Sequence, residues 1–186
     1  MTGVRAGEVP RALVVTASNR AAAGVYEDRG GPILVAGLRD LGFDVEGPRV
    51  VPDGDPVEAA LREAVREGYD VVLTTGGTGI SPTDVTPEVT ARVIDREIPG
   101  IAEAVRARGV ASGVATAILS RGLAGQASGT IIVNLPGSPA GCRDAMAVLG
   151  EVLPHAVAQV KGTDHRAGPT NPDETTQTAG GGVERD

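Results

Sequence analysis

Residues 70–75, Asp70-Val71-Val72-Leu73-Thr74-Thr75, make an apolar run that breaks at once into Gly76-Gly77-Thr78-Gly79. A run with no polar face predicts a strand covered on both sides, the situation of a parallel sheet between helices. Such sheets bind ligands where their strands end. Gly76, Gly77 and Gly79 have access to backbone angles closed to other residues, so several N–H groups can face one anion. A glycine pair alone marks any turn. Here Ser81, Thr83 and Thr86 add hydroxyls and Asp84 adds a carboxylate, while Thr86-Pro87-Glu88 reads as an N-cap, a proline in the first helical turn and an acid near the positive helix end.

Two more strands end in the same way. Residues 11–18 read as a buried strand closing in Ala17-Ser18, and residues 130–135 as another closing in Pro136-Gly137-Ser138-Pro139. Between them, helical spacing is expected over 33–41, 57–65, 87–95 and 101–107, with an edge strand in 43–51 and a strand or short buried helix in 114–119. Ser138 as N-cap and Pro139 as first helical residue start a long last helix in which Pro154 is a bend point. Residues 1–10 read as a loose leader, 11–162 as one α/β domain, and 163–186 as a disordered tail without an apolar face. The three glycine- or serine-rich ends are expected to converge at one sheet edge.

Composition narrows the function. The formal charge is −7 and lysine occurs only at 161, which argues against nucleic-acid and anionic membrane surfaces. Tyr26, Phe43 and Tyr69 are the only aromatics, so a flat heterocycle must rest on aliphatic side chains and backbone. Cys142 cannot form an intramolecular disulfide, and with His155 and His165 it cannot assemble a tetrahedral zinc cluster. Neither a signal peptide nor a membrane-spanning run is expected, so a cytoplasmic protein is.

The second glycine turn, Asn134-Leu135-Pro136-Gly137-Ser138-Pro139, resembles the first in offering amides at a helix start, which suits a phosphate. Neither is a Walker loop or a dinucleotide fingerprint, because the lysine and the glycine spacing are missing. Asp53 and Asp84 are the carboxylates singled out, with Asp28 and Asp55 as unassigned competitors. A carboxylate beside a phosphate cradle repels its ligand unless a cation lies between them, and magnesium resolves that conflict. Arg20 and Arg121 can fork onto a phosphate; Cys142 reads as a buried filler.

Taken together, Thr74-Thr75-Gly76-Gly77-Thr78-Gly79, Thr83-Asp84-Val85-Thr86-Pro87-Glu88, Ile118-Leu119-Ser120-Arg121-Gly122 and the Asn134–Pro139 turn resemble the molybdenum cofactor biosynthesis domain of the MogA/MoaB type, over roughly residues 11–162. The resemblance implies a three-layer α/β sandwich with a largely parallel central sheet and a small hairpin subdomain. It implies a molybdopterin adenylyltransferase that moves AMP from ATP to the terminal phosphate of molybdopterin with magnesium, commonly as a trimer, and a molybdenum-insertion protein as possible partner. Carried over by motif, Asp53 and Asp84 are the catalytic and magnesium-holding pair. Ser18, Thr75, Gly76, Gly77, Thr78, Gly79, Ser81, Thr83, Ser120, Arg121, Asn134, Pro136, Gly137, Ser138 and Pro139 are the substrate-binding positions. Where many relatives have Ser-Asp after the first strand, this chain has Ser18-Asn19, which removes a charge. Two other functions compete: an inactive molybdopterin-binding protein of the same fold, and a related nucleotide-processing enzyme.

Overall fold

The computed structural model describes residues 9–162, so the tail, with His165 and the expectation of disorder, and most of the leader lie outside the described residues. The apolar runs become the strands β1 (Arg11–Ala17), β3 (Val71–Thr75) and β6 (Thr130–Leu135), whose side chains are buried almost throughout. With β2 (Asp44–Val51), β4 (Arg96–Glu97) and β5 (Ala124–Ala127) they form one sheet of six strands in the order β2-β1-β3-β6-β5-β4. The first four are parallel. The antiparallel β6, β5 and β4 extend the same sheet to its other edge.

Strand alternation sorts the core into two layers. Val14, Val71, Leu73, Ile131 and Val133 pack under α2 (Gly31–Asp40), α5 (Pro99–Ala111) and α6 (Pro139–Val160). Leu13, Val15, Val72 and Ile132 pack under α3 (Asp55–Glu67) and α4 (Thr86–Ala91). Helices on both faces explain why β3 and β6 carry no polar face. β2, at the edge, buries only Val45, and its other residues are exposed or half-buried without the alternation expected of 43–51.

The register brings the site together. Thr16 pairs with Thr75 and Thr75 with Leu135, so the three parallel strands end in one row, as expected.

Local departures from the sequence reading have local causes. Residues 19–22 form a short helix, α1 (Asn19–Ala22), because the Ser18 hydroxyl accepts the Ala21 N–H at 3.2 Å and caps it. Thr86 is not the N-cap of α4; Val85 occupies that position without a side-chain cap, and Thr86 is already helical. α4 stops at Ala91, and α5 runs to Ala111 because its buried positions Ile101, Val105 and Gly109 keep the helical spacing. Residues 114–119 are neither strand nor buried helix but a 3₁₀ turn, Ala115–Leu119, with Ile118 68% exposed. β4 and β5 have no counterpart in the sequence reading, since strands of two and four residues are too short for periodicity to reveal.

Candidate active site

The glycine turn after β3 is forced into its path. Gly76 has φ of 97°, and a Cβ there would lie 2.3 Å from the Ala17 carbonyl oxygen, so neither conformation nor space admits a side chain. Gly77, at φ of 63°, is closed in the same way: a Cβ would meet Thr86 Oγ1 at 2.3 Å and Asp53 Oδ1 at 2.9 Å. The turn after β6 abuts the first, with a Cβ on Gly137 falling 3.2 Å from Gly76 Cα. The Gly76 N–H also donates to the Leu135 carbonyl at 3.2 Å, and the Thr75 hydroxyl to the Pro136 carbonyl at 2.8 Å. The two turns are therefore one structure.

Immediately after Gly137, Ser138 caps α6 by accepting the Gly141 N–H at 3.1 Å, with Pro139 as first helical residue, as the sequence predicts. The positive end of a 22-residue helix thus starts at the glycine junction.

Both singled-out carboxylates flank the first turn. Asp53 Oδ2 accepts the Asn19 N–H at 3.0 Å, while Asn19 Oδ1 accepts the Asp53 N–H at 3.2 Å. Asp53 Oδ1 is the oxygen that faces Gly77. Asp84 Oδ2 accepts the Ser81 N–H at 2.9 Å and lies 2.7 Å from where a Gly79 Cβ would be. Among the described residues, no three His, Cys, Asp or Glu side chains converge as a preformed metal site. Two carboxylates, each with one oxygen outside these bonds, still suit magnesium, which takes one or two carboxylates together with phosphate oxygens.

Two clefts meet the junction, and a third lies beyond Arg106 and Ser120. The first, about 290 Å³, has aliphatic walls from Val105, Val114, Ala117 and Leu119 and a polar end at Gly79 and Ser138. The second, about 100 Å³, lies across Gly137 from it and is lined by Thr16, Ser18, Asp28, Thr75 and Gly76. The third, about 340 Å³, opens between Arg106, Ser120, Arg121 and Gly122. Gly137 lines the first two and divides them.

Several expected binding residues turn inward. Asn134 is buried; its amide donates to Thr74 Oγ1 at 3.0 Å and Thr90 Oγ1 at 2.9 Å, and its oxygen accepts the Leu123 N–H at 3.3 Å. That side chain ties β3, β6 and α4 and has no face toward a cleft. Ser120 Oγ sits 3.5 Å from Thr78 Oγ1 and accepts the Gly122 N–H, while Ser81 and Thr83 hydroxyls approach each other at 3.4 Å on the exposed loop tip. Arg121, read as a phosphate fork, spends its guanidinium on the loop: it donates to the Gly79 carbonyl at 2.7 Å, to the Asp84 carbonyl and to Glu88. Its backbone N–H holds the Thr78 carbonyl at 2.8 Å. The Arg121 hydrogen bond holds the Glu88 carboxyl below the usual carboxylate range. Arg20 lies over the Tyr26 ring at 5.2 Å.

Asp28, left open by the sequence, has a definite place. It accepts the Gly30 and Gly31 N–H groups at 3.0 and 2.9 Å and the Thr16 hydroxyl at 2.7 Å, at the wall of the second cleft. Arg106, which lines the first and third clefts and donates to the Gly122 carbonyl at 3.0 Å, had no sequence signal beyond its helix. Asp55 is fully exposed, 3.8 Å from Arg92. Cys142 is buried against Thr75 and Pro136, and burial pushes its thiol up, which fits a packing role. Among the described residues no helix is long and apolar enough to cross a membrane.

A doubly covered α/β sheet whose parallel strand ends carry two abutting glycine turns, a long helix N-terminus and two flanking carboxylates defines an α/β domain with the features of an anion site. Residues 13–155 match the family described as "Probable molybdopterin binding domain". The chain is 44% identical over 138 residues to a molybdopterin adenylyltransferase of Haemophilus influenzae, covering 72% of this chain and 69% of that one. It is 38% identical over 165 residues to a molybdenum cofactor biosynthesis bifunctional protein of Synechococcus elongatus, covering 88% of this chain and 51% of that protein, so it spans about half the length of such curated relatives. A solved structure titled "anomalous substructure of MogA" superposes with a TM-score of 0.79 at 53% identity, covering 81% of this chain and 99% of that one. The chain belongs to this molybdopterin-binding domain family, on its MogA/MoaB branch.

Proposed function

We propose that the protein is a molybdopterin adenylyltransferase, in which a terminal phosphate oxygen of molybdopterin attacks the α-phosphorus of ATP. The new P–O bond forms as the bond from the α-phosphorus to the pyrophosphate oxygen breaks, and pyrophosphate leaves. The observation that carries this reading is the placing of Asp53 and Asp84 on either side of the glycine turn, at Gly77 and Gly79. The nucleophile is already ionised at neutral pH, so no histidine or lysine base is needed. What the reaction needs is alignment of two anions and relief of their repulsion. Magnesium held by Asp53 and Asp84 supplies charge neutralisation when bound. With the Gly76 N–H given to Leu135 and the Gly141 N–H to Ser138, the amides from Gly77 to Gly79 orient the phosphates, and the aliphatic walls of the first cleft take a flat ring without aromatic stacking.

The names of two relatives that the chain covers over two thirds or more of their length support the same reading. The proposal extends to ATP as co-substrate, a cytoplasmic setting, a trimeric assembly and delivery of the product to a molybdenum-insertion protein. The test is incubation of the purified chain with molybdopterin, ATP and magnesium, followed by mass detection of adenylylated pterin and pyrophosphate. Pterin binding without transfer would favour the inactive carrier of the same fold.

A further inference from the structure

Thr86 is fully buried, and among the described residues its hydroxyl has no hydrogen-bond partner. Its backbone needs no hydroxyl, since the N–H donates to the Gly77 carbonyl at 3.0 Å and Val85 fills the cap position. A valine would occupy the same volume without an unpaired polar atom, which is costly to bury. The surroundings supply a reason for the oxygen. A point one Cβ bond out from Gly77 is 2.3 Å from Thr86 Oγ1 and 2.9 Å from Asp53 Oδ1, so the hydroxyl and the carboxylate close on the same small space from two sides. Asp53 Oδ2 is meanwhile held by the Asn19 N–H at 3.0 Å.

We infer that Thr86 is a positioning residue for Asp53: its hydroxyl donates to Oδ1 when ligand and cation occupy the glycine turn, so that Asn19 and Thr86 together set the rotation of the carboxylate. The inference rests on the reading of Asp53 as a site carboxylate. Gly77 is part of the same device, because any side chain there would wedge between the two oxygens. A hydroxyl that pairs with Asp53 only around a bound ligand contributes to binding rather than to folding.

The test uses the full chain with Thr86→Val, Thr86→Ser and Asp53→Asn. Without ligand, Thr86→Val is expected to melt at or above the wild-type temperature. The rise in melting temperature caused by magnesium-ATP should fall by at least half in Thr86→Val, the magnesium concentration for half-maximal transfer should rise about tenfold, and Thr86→Ser should restore both. In an Asp53→Asn background, Thr86→Val should change neither quantity further. If valine distorts the helix start, Thr86→Ala removes the same hydroxyl and is read in the same way.

A wild-type magnesium-ATP shift and magnesium midpoint in Thr86→Val would overturn the inference. So would an undiminished effect in the Asp53→Asn background. A Thr86-dependent magnesium-ATP shift in a protein that makes no adenylylated pterin would leave the positioning role standing and remove the proposed reaction. Normal transfer unaffected by Thr86→Val would remove the positioning role alone. A wild type with neither shift nor transfer removes both.

Discussion

Gly137 lies against Gly76 so closely that a Cβ on the first would stand 3.2 Å from the Cα of the second. Two chain segments 61 residues apart thereby share one backbone surface, and each limits what the other can carry. Gly76→Ala adds a left-handed strain to a clash with the Ala17 carbonyl and is expected to cost about 2–3 kcal/mol, lowering Tm by roughly 5 °C or more. Gly137→Ala needs only a few tenths of an ångström and should cost less than half as much. Thermal melts of the two variants check the order; equal losses would mean that the turn after β3 has somewhere to relax.

Asp84→Asn keeps the Ser81 N–H bond through its remaining oxygen but removes the charge. Adenylyl transfer should fall roughly a hundredfold, about 3 kcal/mol, with pterin binding retained. Asp53→Asn should act in the same direction, and if both carboxylates serve one ion the double variant should lose less than the two single losses combined. Transfer assays over a magnesium series, run beside direct pterin binding, check this. Near-normal turnover in Asp84→Asn would leave that carboxylate with its turn-capping bond alone.

The clamp between Arg121 and Glu88 sets an acid limit. The folded Glu88 pKa is depressed by the Arg121 hydrogen bond, so the contribution is present above the ordinary glutamate range and is lost as pH falls through the folded value. Glu88 is about half exposed, so the effect on global stability should be small, and the change should be seen locally. Protection of the amides in residues 78–84, measured against their intrinsic exchange rates, should fall as pH drops below the ordinary glutamate range, and Arg121→Gln should show the weaker protection already at pH 7. Protection in that loop independent of both pH and Arg121 would show that the clamp does not hold it.

Self-association is expected from the family, with Val110 and Ile118 standing 42% and 68% exposed at the end of α5 and in the 3₁₀ turn. Light scattering at micromolar concentration should give three times the chain mass. A mass equal to one chain would remove the trimer.

Much of this architecture was legible because it is written locally. The runs at β1, β3 and β6 carry their own periodicity, and glycine, serine and proline mark where each ends; parallel pairing then aligns the ends without further information. The direction of side chains was not legible. Asn134 and Arg121 have the composition of ligand contacts, yet Thr74, Thr90 and the loop carbonyls, distant in sequence, turn them toward the protein. Asp28 reaches its place only because Thr16 ends a neighbouring strand. Thr86 looked like a cap because threonine favours caps; the preceding valine took that position instead.

The Asn134 side chain has a consequence for affinity. By joining Thr74 at one end of the glycine loop to Thr90 beyond the other, and with Arg121 gripping the span between, it fixes both anchors before any ligand arrives. The exposed stretch Ile80 to Thr83 lies outside these ties. Each backbone residue that need not be frozen saves about 1–2 kcal/mol, so the proposed binding of a charged ligand needs no matching array of lysines.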